Sequence, residues 1–158
     1  MEKQTVYLET SVISYLTAKP SRDLVVAGQQ QITQDWWQNA KPKFNCFISQ
    51  FVIEEIKKGD NEAALKRLSV VSDIPSLEYD EKIDNLALKY IELLNIPMKS
   101  KADAFHLAST VWFEIDYLLS WNCKHIANAV VSYKLNKFNK DNFLHVPILC
   151  TPLELLEV

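Results

Sequence analysis

The chain has 158 residues, of which 48% are hydrophobic and 23% are charged, and this length and balance predict a single globular domain over residues 1–158. Its net charge of −3 argues against a broad basic surface for nucleic acid, although it leaves room for a local basic rim around such a site. The only two glycines, Gly28 and Gly59, form none of the glycine-rich loops that wrap nucleotide phosphates.

The sequence shows neither a membrane segment nor a signal peptide. No stretch approaches the roughly 18 consecutive apolar residues that a membrane helix needs. The chain does not open with a charged region followed by an apolar one. Three scattered cysteines, Cys46, Cys123 and Cys150, favour reduced and mostly buried thiols. We therefore expect a cytoplasmic protein.

Short β-rich runs alternate with helical patterns along the whole chain. Strands are predicted at 5–8, 44–48, 70–74, 116–120 and 146–150. Helices are predicted from Thr10 or Ser11, over 23–39, after Ser49, from 60, over 80–94, from Ser100, over 128–139 and from Pro152. Such alternation is typical of a parallel sheet covered on both faces. The predicted fold is a three-layer α/β/α sandwich with a central parallel sheet of four to five strands.

Two large aromatic residues end the second predicted helix, which is otherwise polar and rich in glutamine. Trp36 and Trp37 provide extensive apolar surface. Aromatic side chains are common in cores and interfaces. We therefore expect both rings to pack against the body of the protein or a partner subunit, rather than to stack on nucleobases.

Two acidic residues lie at informative places. Glu9 directly follows the first predicted strand, at the end where open parallel sheets bind ligands, although a solvated acid in a turn is the alternative. Glu55 continues the apolar sector of Phe51 and Val52 at helical spacing. Its neighbour Glu54 points away. A carboxylate that faces a core needs a salt-bridge partner, a cation or a water-filled cleft.

A third acid opens the central helix. Ser100 and Asp103 stand three residues apart, as in a capping box, and Asp103 lies at the margin of the apolar face. Asp103 is therefore either a capping acid or part of a functional site. Asn122 follows the fourth predicted strand, where its amide can form hydrogen bonds but supplies no charge. Cys123 and His125 lie close by, but the chain lacks the further paired ligands of a zinc site.

These polar residues occupy equivalent places at strand ends and helix starts, which can converge on one edge of a parallel sheet. Acids gathered there repel one another unless a cation neutralises them. Oxygen ligands around a hard cation suit Mg²⁺ or Mn²⁺. Such an ion can activate a water that attacks a phosphodiester. Lys99 and Lys101 flank the start of the central helix, either as a solvated face or as contacts to phosphates.

Four segments carry a family resemblance. They are YLETS at 7–11, SQFVIEEI at 49–56, DAFHLA at 103–108 and LLSWN at 118–122. In this order and spacing the chain resembles the PIN-domain nucleases, in particular the VapC-like ribonuclease toxins of bacterial toxin–antitoxin pairs. The resemblance implies a Rossmann-like sandwich and a hydrolase that cleaves RNA with Mg²⁺ or Mn²⁺. It also implies frequent homodimers and inhibition by a small antitoxin protein that covers the site.

The resemblance also implies residue roles. Glu9, Glu55 and Asp103 match the family's first three acids and would bind the metal. Asn122 matches the fourth acidic position and would assist catalysis. Ser11 and Ser120 match polar positions near the site. The predicted substrate contacts are Ser11, Ser120, Lys99, Lys101 and Lys124.

Two positions depart from the family's usual pattern. Glu9 is one methylene longer than the usual aspartate, and Asn122 is neutral where an aspartate is frequent. Three carboxylates suffice for one metal ion, whereas a second ion would be held less well. The sequence therefore leaves two functions open. The first is a metal-dependent endoribonuclease, the toxin of a toxin–antitoxin pair. The second is a weak or inactive PIN-like module that acts by binding protein or nucleic acid.

Overall fold

A computed structural model describes residues 2–156 and contains one five-stranded sheet, with all strands parallel, in the order β3-β2-β1-β4-β5. The strands are β1 (Thr5–Leu8), β2 (Asn45–Ser49), β3 (Ser76–Leu77), β4 (Tyr117–Leu119) and β5 (Ile148–Cys150). The helices are α1 (Thr10–Thr17), α2 (Leu24–Asp35), α3 (Gln50–Ile56), α4 (Asn61–Val70), α5 (Glu81–Leu94), α6 (Lys101–Trp112) and α7 (Ala129–Asp141). A π-helical turn (Trp36–Ala40) extends α2, and short 3-10 segments span Lys41–Lys43 and Met98–Ser100.

Helices cover both faces of the sheet. In β1 the consecutive side chains of Val6, Tyr7 and Leu8 are all fully buried. Because neighbouring side chains of a strand point to opposite faces, this burial requires packing on both sides. Leu118 and Leu119 of β4 repeat the pattern. The predicted three-layer α/β/α sandwich is therefore confirmed.

The order of the strands places a crevice beside β1. The chain runs from β1 outward through β2 to β3, and then returns to the other side of β1 with β4. The backbone N–H of Glu9 donates to the carbonyl of Leu119 across this boundary, at 3.1 Å. Ligands in open parallel sheets bind outside the carboxyl ends of the strands at such a reversal. The residues that follow β1 and β4 therefore lie at the carboxyl edge of the sheet, where the sequence predicts the functional site.

The predicted third strand is wrong in position. Residues 70–74 are the end of α4 and a turn, and the strand is Ser76–Leu77. Ala64 is buried, and Leu68 and Val71, which follow it at helical spacing, pack on the core, so this periodicity outweighs the β preference of valine. The strand begins only after Pro75, whose carbonyl accepts from the N–H of Ile48 at 3.0 Å.

The predicted terminal helix is also wrong. Residues 152–155 form a turn, not a helix. Glu154 explains this geometry, because its Oε1 accepts from both the N–H and the hydroxyl of Thr151, at 3.0 and 3.1 Å. The edge position predicted for the last strand is confirmed, since β5 ends the sheet.

Three predicted helix caps also differ. Glu9, and neither Thr10 nor Ser11, caps α1 through its side chain. Ser49 and Ser100 occupy the cap positions of α3 and α6, but neither hydroxyl caps its helix. Ser49 bonds to Tyr7 instead, as described below.

The prediction of mostly buried thiols is confirmed in part. All three cysteines are free. Cys150 is buried and Cys46 is half-buried, but Cys123 is exposed. Burial raises the pKa of Cys46 to about 11 and that of Cys150 to about 12, so both thiols stay protonated at neutral pH. Within residues 2–156, every helix is too short or too polar to cross a membrane.

Asn95 is the residue that ends α5, in the left-handed conformation with φ 53° and ψ 43°. A β-branched side chain is strained there, whereas glycine is not. We therefore expect Asn95→Val to lower the free energy of unfolding by about 1–2 kcal/mol and Asn95→Gly to change it by less than about 0.5 kcal/mol. Urea denaturation would measure both. Equal stability of the two variants would contradict the backbone argument.

Candidate metal centre

Glu9 is fixed between β1 and β4 by serine hydroxyls. Its Oε1 accepts from the hydroxyls of Ser11 and Ser120, each at 2.5 Å, and its Oε2 accepts from the N–H of Ser11 at 3.2 Å. The residue is only 5% exposed. Ser11 and Ser120, which sequence analysis predicted to contact substrate, thus position a carboxylate.

The same two serines hold the loop after β4. The hydroxyl of Ser11 accepts from the N–H of Trp121 at 2.8 Å, and that of Ser120 accepts from the N–H of Asn122 at 2.9 Å. Both hydroxyl protons are therefore free to point at Glu9. The arrangement links the end of β1 to the loop after β4 through one buried carboxylate.

Glu55 approaches the same point from α3. Its Oε1 accepts from the hydroxyl of Thr10 at 2.7 Å and lies 2.5 Å from Nε2 of His106. Burial would raise the pKa of Glu55. The hydrogen bond and the charge of His106, with smaller effects of Thr10 and Lys58, lower this pKa below its usual value instead. The sequence predicts a salt-bridge partner, a cation or a water-filled cleft for Glu55, and the partner found is a histidine.

His106 is fully buried beneath the two glutamates. Its Nδ1 lies 2.7 Å from the hydroxyl of Tyr7, which in turn lies 2.6 Å from the hydroxyl of Ser49. Burial would lower the pKa of the imidazole, but the bond to Glu55 and the negative charge of nearby carboxylates raise it. Burial also raises the pKa of Tyr7, so its hydroxyl keeps its proton.

These contacts bring three metal-binding side chains together. One ligand atom each of Glu9, Glu55 and His106 lies within 4.8 Å of the other two. Among residues 2–156, this is the only group of His, Cys, Asp or Glu side chains with such a geometry. Two carboxylates and an imidazole can hold a divalent cation. The sequence predicted the two glutamates as ligands, and it missed His106.

Asp103 lies in the first turn of α6, outside this group of three. Its Oδ2 is 2.7 Å from Nδ1 of His125, and both side chains are 14% exposed. Its charge is one of those that raise the pKa of His106, so it acts on the centre electrostatically. The predicted ligand set of Glu9, Glu55 and Asp103 is thus brought together only in part, and Asp103 has a histidine partner instead of a capping bond.

Asn122 builds the loop that carries His125. Its side-chain oxygen accepts from the N–H of Lys124 at 3.2 Å and from the N–H of His125 at 3.0 Å. Its backbone carbonyl accepts from Ile126 and Ala127. The residue predicted to assist catalysis therefore has a structural task in this loop. It places the imidazole that meets Asp103.

Basic and aromatic side chains border the centre on the side of Glu55. A cavity of about 430 Å³ there is lined by Lys58, Lys101, Phe51 and Phe105, together with the acids Glu54, Glu55 and Asp84. The two phenylalanine rings pack with their centroids 4.9 Å apart. The predicted phosphate contacts are all exposed and are Lys99, Lys101 and Lys124. Lys58, which sequence analysis did not select, lines the same cavity.

The two histidines carried weak sequence signals. His106 follows Asp103 by three residues on one helix, a spacing that metal sites in helical bundles also use. His125 lies two residues after Cys123, and this spacing suggests only a zinc ligand. Pairing of His125 with Asp103 joins residues 22 apart in the chain. Such a contact depends on tertiary structure.

No protein-family model matches the chain, and no curated protein matches it either. Two of the predicted acids, Glu9 and Glu55, meet beside the switch point of the sheet.

Proposed function

We propose that the chain is a metal-dependent endoribonuclease of the PIN type, the toxin of a toxin–antitoxin pair. The proposal includes a cytoplasmic homodimer that a small antitoxin protein inhibits by covering the site. The observation that carries it is the approach of Glu9 and Glu55, two acids 46 residues apart in sequence, to one point at the carboxyl ends of parallel strands.

The donor set fits a divalent cation. The hydrogen-bond partners of the two glutamates are hydroxyls, a backbone N–H and an imidazole, which leave lone pairs on each carboxylate. Both described hydrogen bonds of Glu55 are accepted by Oε1, so Oε2 is available to bind a metal ion. When bound, Mg²⁺ or Mn²⁺ would activate water and stabilise negative charge on a phosphodiester.

The residues around the centre have separate tasks in this proposal. Ser11 and Ser120 fix Glu9, and Thr10 fixes Glu55. Asp103 adds negative charge beside the centre. Lys101 and Lys58 line the cavity next to Glu55, where their ammonium groups would meet RNA phosphates.

A specific observation favours the second candidate, a PIN-like binding module without strong catalysis. Asp103 is engaged by His125, and Asn122 is engaged by its own loop. A centre in which Asp103 and Asn122 already have hydrogen-bond partners would bind a metal ion less tightly.

The deciding experiment is cleavage of a mixed RNA pool by the purified protein in Mn²⁺, in Mg²⁺ and in chelator. Asp103→Asn should lose at least about tenfold in rate, because it removes a charge beside the metal without changing the side chain's size. The matched control is Asp73→Asn, the same change at an exposed turn after α4. Equal cleavage by all three proteins would identify a contaminant. Absence of cleavage by correctly folded protein would favour the binding module.

A further inference from the structure

We propose that His106 is itself a metal ligand, and that the centre therefore prefers a first-row transition ion such as Mn²⁺ over Mg²⁺. This inference deepens the proposed function by naming the ion, but metal binding can be measured without any RNA. It rests on the group of Glu9, Glu55 and His106, which offers two oxygens and one nitrogen within 4.8 Å of one another.

The hydrogen bonds behind His106 suit a ligand. Nδ1 lies 2.7 Å from the hydroxyl of Tyr7, and that hydroxyl lies 2.6 Å from the hydroxyl of Ser49. In this series of hydrogen bonds, Nδ1–H of His106 donates to the hydroxyl of Tyr7, which donates to the hydroxyl of Ser49. Nε2 then presents its lone pair to the two glutamates. Metal-binding histidines usually donate their other ring nitrogen in this way, which fixes tautomer and orientation.

The side of the imidazole that faces Glu55 also suits a metal ligand. Nε2 of His106 and Oε1 of Glu55 are 2.5 Å apart, closer than two lone pairs tolerate without positive charge between or beside them. A proton satisfies this requirement when no ion is bound. A divalent ion would also satisfy it, with Nε2 of His106 and the carboxylate of Glu55 as ligands. Both side chains are held from behind, by Tyr7 and Thr10.

The nitrogen decides which ion fits. Imidazole suits transition ions, whereas Mg²⁺ demands oxygen ligands and keeps much of its water. Asp103, the residue that would complete an all-oxygen set, points its Oδ2 at His125. The group nearest to Glu9 and Glu55 is thus a nitrogen donor in place of a third carboxylate. Selectivity for Mn²⁺ over Mg²⁺ follows from that exchange.

Calorimetric titration of the metal-free protein with Mn²⁺ and with Mg²⁺ tests the preference. We expect Mn²⁺ to bind at least tenfold more tightly. Tyr7→Phe should weaken Mn²⁺ binding by about 10- to 100-fold, because it removes the hydroxyl that orients His106. The matched control is Tyr90→Phe, which removes another buried tyrosine hydroxyl, bonded to Asn139 at 2.6 Å. Equal affinity for the two ions, or equal behaviour of the two variants, would overturn the proposal.

Electron spin-echo modulation of the bound Mn²⁺ gives a direct readout of nitrogen coordination. Tag-free protein should show coupling to an imidazole nitrogen. The chain has three histidines, so the double variant His125→Asn, His145→Asn leaves His106 as its one remaining imidazole. Coupling that persists in this variant assigns the ligand to His106. Absence of coupling in the wild type, or its loss in the double variant, would overturn the proposal.

These readouts separate the inference from the nuclease proposal. Nitrogen coordination together with intact RNA would support the ligand assignment and refute the ribonuclease. Metal-dependent cleavage by a protein without nitrogen coupling would do the reverse. The nitrogen coupling is measured without RNA and does not depend on its identity.

Discussion

Replacement of Glu55 by glutamine is expected to lower the rate of RNA cleavage by more than about a hundredfold, if the chain is the proposed nuclease. Loss of an outer-shell partner of a metal already costs about 10- to 100-fold, and Glu55 offers its carboxylate to the centre itself. The amide keeps the size of the side chain but not its charge. The hydrogen bond from Thr10 has an oxygen acceptor in either variant.

Glu114→Gln is the matched control for this change. Glu114 is exposed and precedes β4, at the edge of the sheet opposite the centre, and the two variants have the same net charge. We expect Glu114→Gln to retain activity within about threefold, as a surface substitution away from the centre should. Initial rates with Mn²⁺ on one fluorescent RNA would measure both, with circular dichroism as the check on folding. Cleavage by Glu55→Gln within tenfold of the wild type would exclude Glu55 as a metal ligand.

Trp36→Ala is expected to lower the free energy of unfolding by about 3–5 kcal/mol, the largest stability effect that we predict. Trp36 is fully buried, and its ring stacks on Phe44 with centroids 6.2 Å apart. It also meets Trp37 edge to face at 6.5 Å. Truncation to alanine would remove these contacts and leave a cavity that close-packed neighbours fill only partly.

Trp37→Ala is the natural comparison, because the same residue type is changed one position along. Trp37 is only half-buried, and Nζ of Lys41 lies 4.9 Å from its ring centroid. We expect a loss of about 1 kcal/mol, since an exposed cation–π contact and partial burial are worth little more. Urea denaturation followed by far-ultraviolet circular dichroism would compare the two. A larger loss for Trp37→Ala than for Trp36→Ala would contradict the assignment of Trp36 to the core.

The sequence predicted that both tryptophans pack on the body of the protein or on a second subunit. The structure assigns Trp36 to the core of the described chain and leaves the outer face of Trp37 half-buried. Helical periodicity could not distinguish these positions, since the π-helical turn Trp36–Ala40 breaks the regular spacing. Which of two adjacent rings faces inward was decided by that turn.

Local pattern determined the class of fold. Strands buried on both faces, such as β1 and β4, appear as continuous apolar runs, and long amphipathic helices such as α5 show a clear stripe. The two elements that were misplaced, at 70–74 and after Thr151, are short apolar or proline-containing segments. Their conformation depends on which neighbours they meet. Val71 completes a helical face, and Glu154 closes a turn on Thr151.

The sequence by itself selected Glu9 and Glu55, because strand ends and core-facing carboxylates can be recognised from spacing. Only the tertiary structure decided their partners. Ser120 reaches Glu9 from 111 residues away, and His106 reaches Glu55 from 51 residues away. Asp103 meets His125, a histidine carried by a loop that Asn122 holds. A buried polar group must find a hydrogen-bond partner, but sequence spacing does not say which one, since that choice follows from how the strands and helices pack.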